Sequence, residues 1–161
     1  MSDIHKKQEI KESLRVDKVH DGDIRPVLLN VEKCLVTLQR WSVEMKFGRP
    51  TLICVFSIEE PSEYRYMDIL KYYEVEIIRV YKRKGLPDRI RFKCSWRRDW
   101  AKQFVNIFGM QEKNNEDFLN PDRLANHVLV VSIRTKKTDT TGLVSENLWE
   151  SKIDKILEIS A

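Results

Sequence analysis

Only three cysteines, three histidines, five glycines and five prolines occur among the 161 residues, and each scarcity excludes something. The cysteines Cys34, Cys54 and Cys94 are odd in number and far apart, with no Cys-x-x-Cys pair or Cys/His cluster. That argues against a zinc site or disulfide framework and predicts reduced thiols, packed as small hydrophobes inside strands of a cytoplasmic protein. Of the histidines, His5 and His20 fall in a polar opening stretch and His127 begins a strand, so no nucleophile–base arrangement is readable. GxxxxGK[ST], GxGxxG, HExxH and GxSxG are all missing. No apolar run approaches the ~20 residues of a membrane span. Met1 to Gln8 lacks the apolar stretch of a secretory signal. The expectation is a non-membrane, cytoplasmic protein with no cofactor and no metal.

What is present is a globular composition, 42% hydrophobic and 34% charged, in a length suited to one domain with a real core. The net charge of +4 is uneven. Nine basic residues stand between Arg79 and Arg98 against the single acid Asp88, so this window carries +8 and the remaining residues sum to −4. A local basic patch on a mildly acidic chain is the footprint expected of a polyanion binder. Its plainer reading is a solvated basic loop.

Residues 1–24 alternate Lys, Glu and Asp with few large apolar groups and read as a mobile N-terminal arm. Residues 25–161 read as the folded domain. A first strand runs from Val27 toward Met45, long enough to require a bend or bulge. Phe47-Gly48-Arg49-Pro50 supplies a turn, and Thr51 to Ile58 is the clearest strand. A third strand is expected from Tyr66 to Tyr81. Its apolar phase slips between Ile77 and Ile78, which a bulge would accommodate with both groups facing the core. Gly85-Leu86-Pro87 reads as a turn and Ile90 to Cys94 as a short strand. Ser95 is placed to cap a helix that starts at Trp96 and buries Trp100, Phe104 and Phe108, with Gly109 at its end. A helical turn near Pro121, a strand from Val128 and a last strand from Lys152 to Ile159 complete the chain. The order is β-β-β-α-β-β. It matches a mostly β, five-stranded, OB-fold-like Greek-key barrel with one amphipathic helix between strands three and four, against the competing open α+β sheet.

Several segments resemble small proteins of phages and integrating conjugative elements, some grouped with OB-fold single-stranded DNA-binding proteins. They are Gly48-Arg49-Pro50 leading to Phe56-Ser57-Ile58, Tyr72-Tyr73-Glu74-Val75, and Arg91-Phe92-Lys93-Cys94-Ser95-Trp96-Arg97-Arg98-Asp99. Phe108-Gly109 and Val130-Val131-Ser132-Ile133-Arg134-Thr135 add to them, within Asn30 to Ile159. The resemblance implies a mobile-element setting. Ile159-Ser160-Ala161 lacks the acidic tail through which bacterial single-strand-binding proteins recruit partners, and the N-terminal arm has no counterpart.

Single strands are held by basic grooves that follow phosphates and by aromatic faces on which bases stack. Ten of the fifteen aromatics lie between Tyr64 and Phe108, interleaved with the basic window. Phosphate candidates are Arg79, Lys82, Arg83, Arg89, Arg91, Lys93 and Arg97, with Lys136 and Lys137 between the last two strands. Stacking candidates are Tyr72, Tyr73, Tyr81, Phe92 and Trp96; Tyr73 shares parity with Val75 and Ile77, so a core position is equally open to it. Trp41 and Phe47 flank the first turn, where OB-folds commonly bind, and for each simple packing is at least as good an account. Glu74 and Glu76 share a strand face and read as solvent-facing partners of Lys71 or Arg79 rather than as metal ligands. The expected function is sequence-tolerant binding of single-stranded DNA, with RNA distinguished only through 2′-hydroxyl contacts and homo-oligomerisation open. The protein is expected not to be an enzyme. The alternatives are a protein-interaction module acting on a host factor and a metal-dependent nuclease.

Overall fold

The computed structural model describes residues 22, 24–109, 119–139, 142, 143 and 150–160. The expected arm at residues 1–24 therefore lies outside them, apart from Gly22 and Ile24. The strands are β1 (Lys33–Lys46), β2 (Arg49–Glu60), β3 (Asp68–Glu74), β4 (Glu76–Arg83), β5 (Leu86–Lys93), β6 (Leu129–Lys136), β7 (Thr138–Asp139), β8 (Gly142–Leu143) and β9 (Glu150–Ile159). The helix α1 is Asp99–Phe108, and short 3-10 turns occupy Ser62–Tyr64 and Pro121–Leu124. Among the described residues no helix is long and apolar enough to cross a membrane.

One antiparallel sheet, ordered β3-β2-β1-β6-β9, carries the core. Reading β6-β1-β2-β3 gives the Greek-key arrangement, in which a fourth strand returns to lie beside the first. The sheet curls until β3 and β9 come within 8 Å at Cα, yet no hydrogen-bonded ladder joins them. It is not closed into a barrel.

The β1 pattern explains its bend. Cys34, Val36 and Leu38 are buried at even positions, whereas Trp41 and Val43 are buried at odd ones. The β1–β2 register shifts between Leu38 and Arg40, and the extra residue keeps both sets facing the core. Phe47 and Gly48 form the β1–β2 turn with φ of 54° and 75°, as a two-residue hairpin with left-handed central residues requires. From Thr51 to Ile58, β2 is buried on both faces. Leu52, Cys54, Phe56 and Ile58 join the main core. Ile53 and Val55 form a smaller cluster against Ile24, Leu70 and Tyr72.

The third strand is shorter than the sequence predicts. Its ladder with β2 ends at Thr51↔Glu74, two residues from where β2 begins, so the chain beyond Val75 must find a new partner. It finds β5, and β4–β5 forms a separate two-stranded hairpin. The expected irregularity is present, a register shift between Ile77 and Arg79. It does not turn both groups inward: Ile78 and Val80 are 40% and 43% exposed.

The helix also begins later than predicted. Ser95 Oγ accepts from the Arg97 amide at 3.3 Å within the preceding turn. The cap residue of α1 is Arg98, with no side-chain cap bond, and Asp99 opens the first turn, where its charge suits the helix dipole. Trp96 is thus outside the helix. Trp100 and Phe104 are fully buried, and rings run in sequence from Tyr73 to Trp100, Phe104 and Phe108 at centroid spacings of 4.9, 4.5 and 5.4 Å. Full burial of each such side chain contributes about 1.5–3 kcal/mol. Gly109 ends the helix with φ 78° while its amide donates to Val105 O.

The helix sits at the seam between β3 and β9. Gln103 Oε1 accepts from the Tyr73 hydroxyl at 2.7 Å and from the Ile156 amide at 3.0 Å. Asn106 Nδ2 donates to Leu157 O at 3.0 Å. Side-chain amides of α1 thereby satisfy backbone groups of the edge strand β9.

Candidate nucleic-acid interface

The β4–β5 register decides which residues of the basic window share a face. Arg79 lies opposite Arg91, Tyr81 opposite Arg89, and Val80 opposite Ile90. Directly paired residues project to the same side, so one face carries Arg79, Tyr81 and Arg91. The other carries Val80 and Ile90, and Phe92 pairs with Ile77. Ile77, Ile90 and Phe92 pack against the main core, which fixes the base of the hairpin and turns the arginine face outward.

On that face the Arg79 guanidinium stands over the Tyr81 ring, 4.6 Å from its centroid. Arg91 Nη1 donates to the Tyr81 hydroxyl at 3.4 Å. That bond, with the charges of Arg91 and Arg79, holds the tyrosine hydroxyl below its ordinary pKa. Lys82 is exposed toward the hairpin tip. Among the described residues neither Arg79 nor Lys82 has a carboxylate partner. Lys93, at the base, pairs with Glu76 at 3.6 Å. The positions of Arg83 and Arg89 lie on β4 and β5; their side chains fall outside the described ones. Arg97 and Trp96 are exposed in the turn before α1.

Two predicted stacking residues are corrected. Tyr73 is 3% exposed, with its hydroxyl on Gln103, and Phe92 is 7% exposed, edge-on to Trp41. Neither presents a ring face to a base. Trp41 is likewise internal, its Nε1 donating to Asp122 Oδ1 at 2.9 Å. Tyr72 stays on the outer side of the sheet, half-buried and edge-on to Phe47 at 6.3 Å. Phe47 is 87% exposed in a backbone conformation that bulky residues rarely adopt. Its place at the first turn left packing and binding both open; the positive φ that aims it at solvent is invisible in sequence.

Lys136 and Lys137 do not join the basic face. β6 pairs with β1 only as far as Lys33 and carries Lys136 beyond it to a place opposite Glu150. The hairpin instead rises from the end of β3 nearest the β1–β2 turn. Glu74 and Glu76 also have other partners than expected. Glu74 holds Arg98 and, at 3.1 Å, Arg49, while Glu76 holds Lys93. The carboxylate of Glu74 thus ties the end of β3 to the start of β2 and to Arg98, the cap residue of α1.

In comparisons with known proteins, no family model, no curated protein and no solved structure matches this chain.

Proposed function

We propose that this protein binds single-stranded nucleic acid, DNA in the first instance, without marked sequence preference and without catalysing a reaction on it. The observation behind this reading is the outward face of the β4–β5 hairpin, where two arginines flank a half-exposed tyrosine. Guanidinium groups recognise phosphates through charge-assisted hydrogen bonds, and an accessible tyrosine ring takes a base by stacking, about 1–3 kcal/mol each. The frame we propose is an OB-like, partly open barrel. The Greek-key order, the curl of β9 toward β3 and the helix lodged between them support it. The three cysteines are free and buried, which supports a cytoplasmic protein. The mobile-element setting rests on the resemblance of short motifs alone.

A titration tests the binding. Fluorescent single-stranded DNA, duplex DNA and RNA are added to the protein at two salt concentrations. Single strands should bind tightest, with affinity falling steeply as salt rises. Changing Arg79, Lys82 and Arg91 together to Ala should weaken all single strands alike and flatten the salt slope by about 2, at roughly 0.7 per lost phosphate contact. Tyr81→Ala should weaken binding with the slope unchanged, since stacking releases no ions. Absence of affinity for every strand at low salt overturns the reading in favour of a protein-interaction module.

A further inference from the structure

A second cationic feature lies away from the hairpin, where β3 and β9 approach without pairing. The segment 24–27 crosses the mouth of this seam and leaves a cleft of about 480 Å³, whose walls contain no residue of β4 or β5. That volume lies within the range of small-ligand sites, ~300–1,000 Å³. Four cations line it, Arg25, Lys71, Arg134 and Lys152, against the two acids Asp68 and Glu150. Glu150 is engaged with Lys152 at 3.5 Å.

The arrangement sets like charges side by side, offset in part by Glu150 at Lys152 and by the Tyr73 ring, whose centroid lies 5.4 Å from the Lys71 ammonium. Arg134 and Lys152 are direct partners in the β6–β9 ladder, and like charges directly opposite one another destabilise a sheet. Lys71 faces them from across the seam. Burial pushes its ammonium below the ordinary value; Asp154 and Asp99 offset that in part, while the charges of Arg134 and Lys152 add to it. A cleft lined mainly by one sign of charge focuses its field on an anion. Tyr72 forms part of the wall, and Ile24, Leu70 and Val27 supply an apolar surface beside it.

We propose that this seam cleft binds a nucleotide, its phosphate held by Lys71, Arg134 and Lys152 and its base laid against Tyr72 and the neighbouring apolar wall. The site stands independently of the hairpin reading. A free nucleotide and the 5′-phosphorylated end of a strand offer the same chemistry to it.

Calorimetric titration of the full chain with AMP, adenosine and inorganic phosphate tests the site. AMP should bind at least about tenfold tighter than adenosine, the margin that one hydrogen bond to a charged group supplies. Lys71→Met and Arg134→Gln should each lose about that factor. Arg134→Gln should also melt no lower than the unaltered protein, because it relieves the repulsion with Lys152; a residue with a purely structural role would lower the melting point when changed. The hairpin variant lacking Arg79, Lys82 and Arg91 should keep its AMP affinity, so failure of one site is distinguishable from failure of the other. Preference for a 5′-phosphorylated oligonucleotide over its 5′-hydroxyl twin identifies a strand end as the occupant; AMP binding with equal affinity for the twins identifies a free nucleotide. AMP binding no tighter than adenosine, or unchanged in both cleft variants, overturns the proposal.

Discussion

Cys54 lies at the centre of β2 with no exposed surface, and burial raises its thiol far above the ordinary value. Burial also pushes Cys34 from 9.0 up to about 11 and raises Cys94. Thiolate is the reactive form, so at neutral pH a maleimide should leave all three unlabelled in the native protein while labelling them fully in denaturant, read by mass spectrometry. The same shifts set a pH dependence. Their contribution to stability is complete below the unfolded thiol value of 9.0 and, for Cys34, is lost as pH rises through about 11. Cys34→Ala should remove its share of that alkaline decline in urea midpoints. Alternation in sequence was enough to place Cys34 and Cys54 inside strands, whereas Cys94, also expected in one, is buried just beyond the end of β5. It was not enough for Tyr73, where parity allowed either a core or a binding position. The hydroxyl bond to Gln103 on a distant helix settled it.

At the scale of elements, α1 both seals the core and finishes the sheet. Gln103 Oε1 is the shared acceptor for the Tyr73 hydroxyl and the Ile156 amide, both buried donors. Gln103→Met keeps the volume and strands those donors, each at about 1–3 kcal/mol. The variant should melt lower, and the Ile156 amide should exchange with solvent markedly faster than its neighbours in β9. Unchanged exchange at Ile156 would show that the edge amide does not depend on the helix. The stripe of Trp100, Phe104 and Phe108 was legible because helical spacing is a local signal. The break at Val75 was not. It depends on where β2 runs out as a partner, a fact about pairing rather than about residues 66–81. For the same reason the basic window read only as a local patch. Only the β4–β5 register shows Arg79, Tyr81 and Arg91 on one face, and only the β6 path shows Lys136 and Lys137 leaving at the other end of the sheet.

The whole molecule is organised by contacts that sequence inspection cannot reach. Arg134 and Lys152 face each other through a ladder set by core alternation, and Lys71 meets them across an unpaired seam, so the cleft had no motif. One such contact is a stitch near that seam. The Leu29 amide donates to Ser151 Oγ at 2.8 Å, joining residues 122 apart in the chain. The Ser151 amide in turn donates to Val27 O at 2.7 Å. Loop-closure entropy disfavours such a contact until shorter loops have closed. The β1–β2–β3 meander is therefore expected to form first and this stitch last. Ser151→Ala leaves the buried Leu29 amide without its acceptor, and an interaction absent from the transition state acts on the escape rate alone. Stopped-flow kinetics should show unfolding about tenfold faster with refolding changed less than about twofold. Equal slowing of refolding would instead place the stitch in the folding nucleus. A clasp that joins residues 27–29 to Ser151 is thus expected to govern how long each molecule stays folded rather than how quickly it gets there.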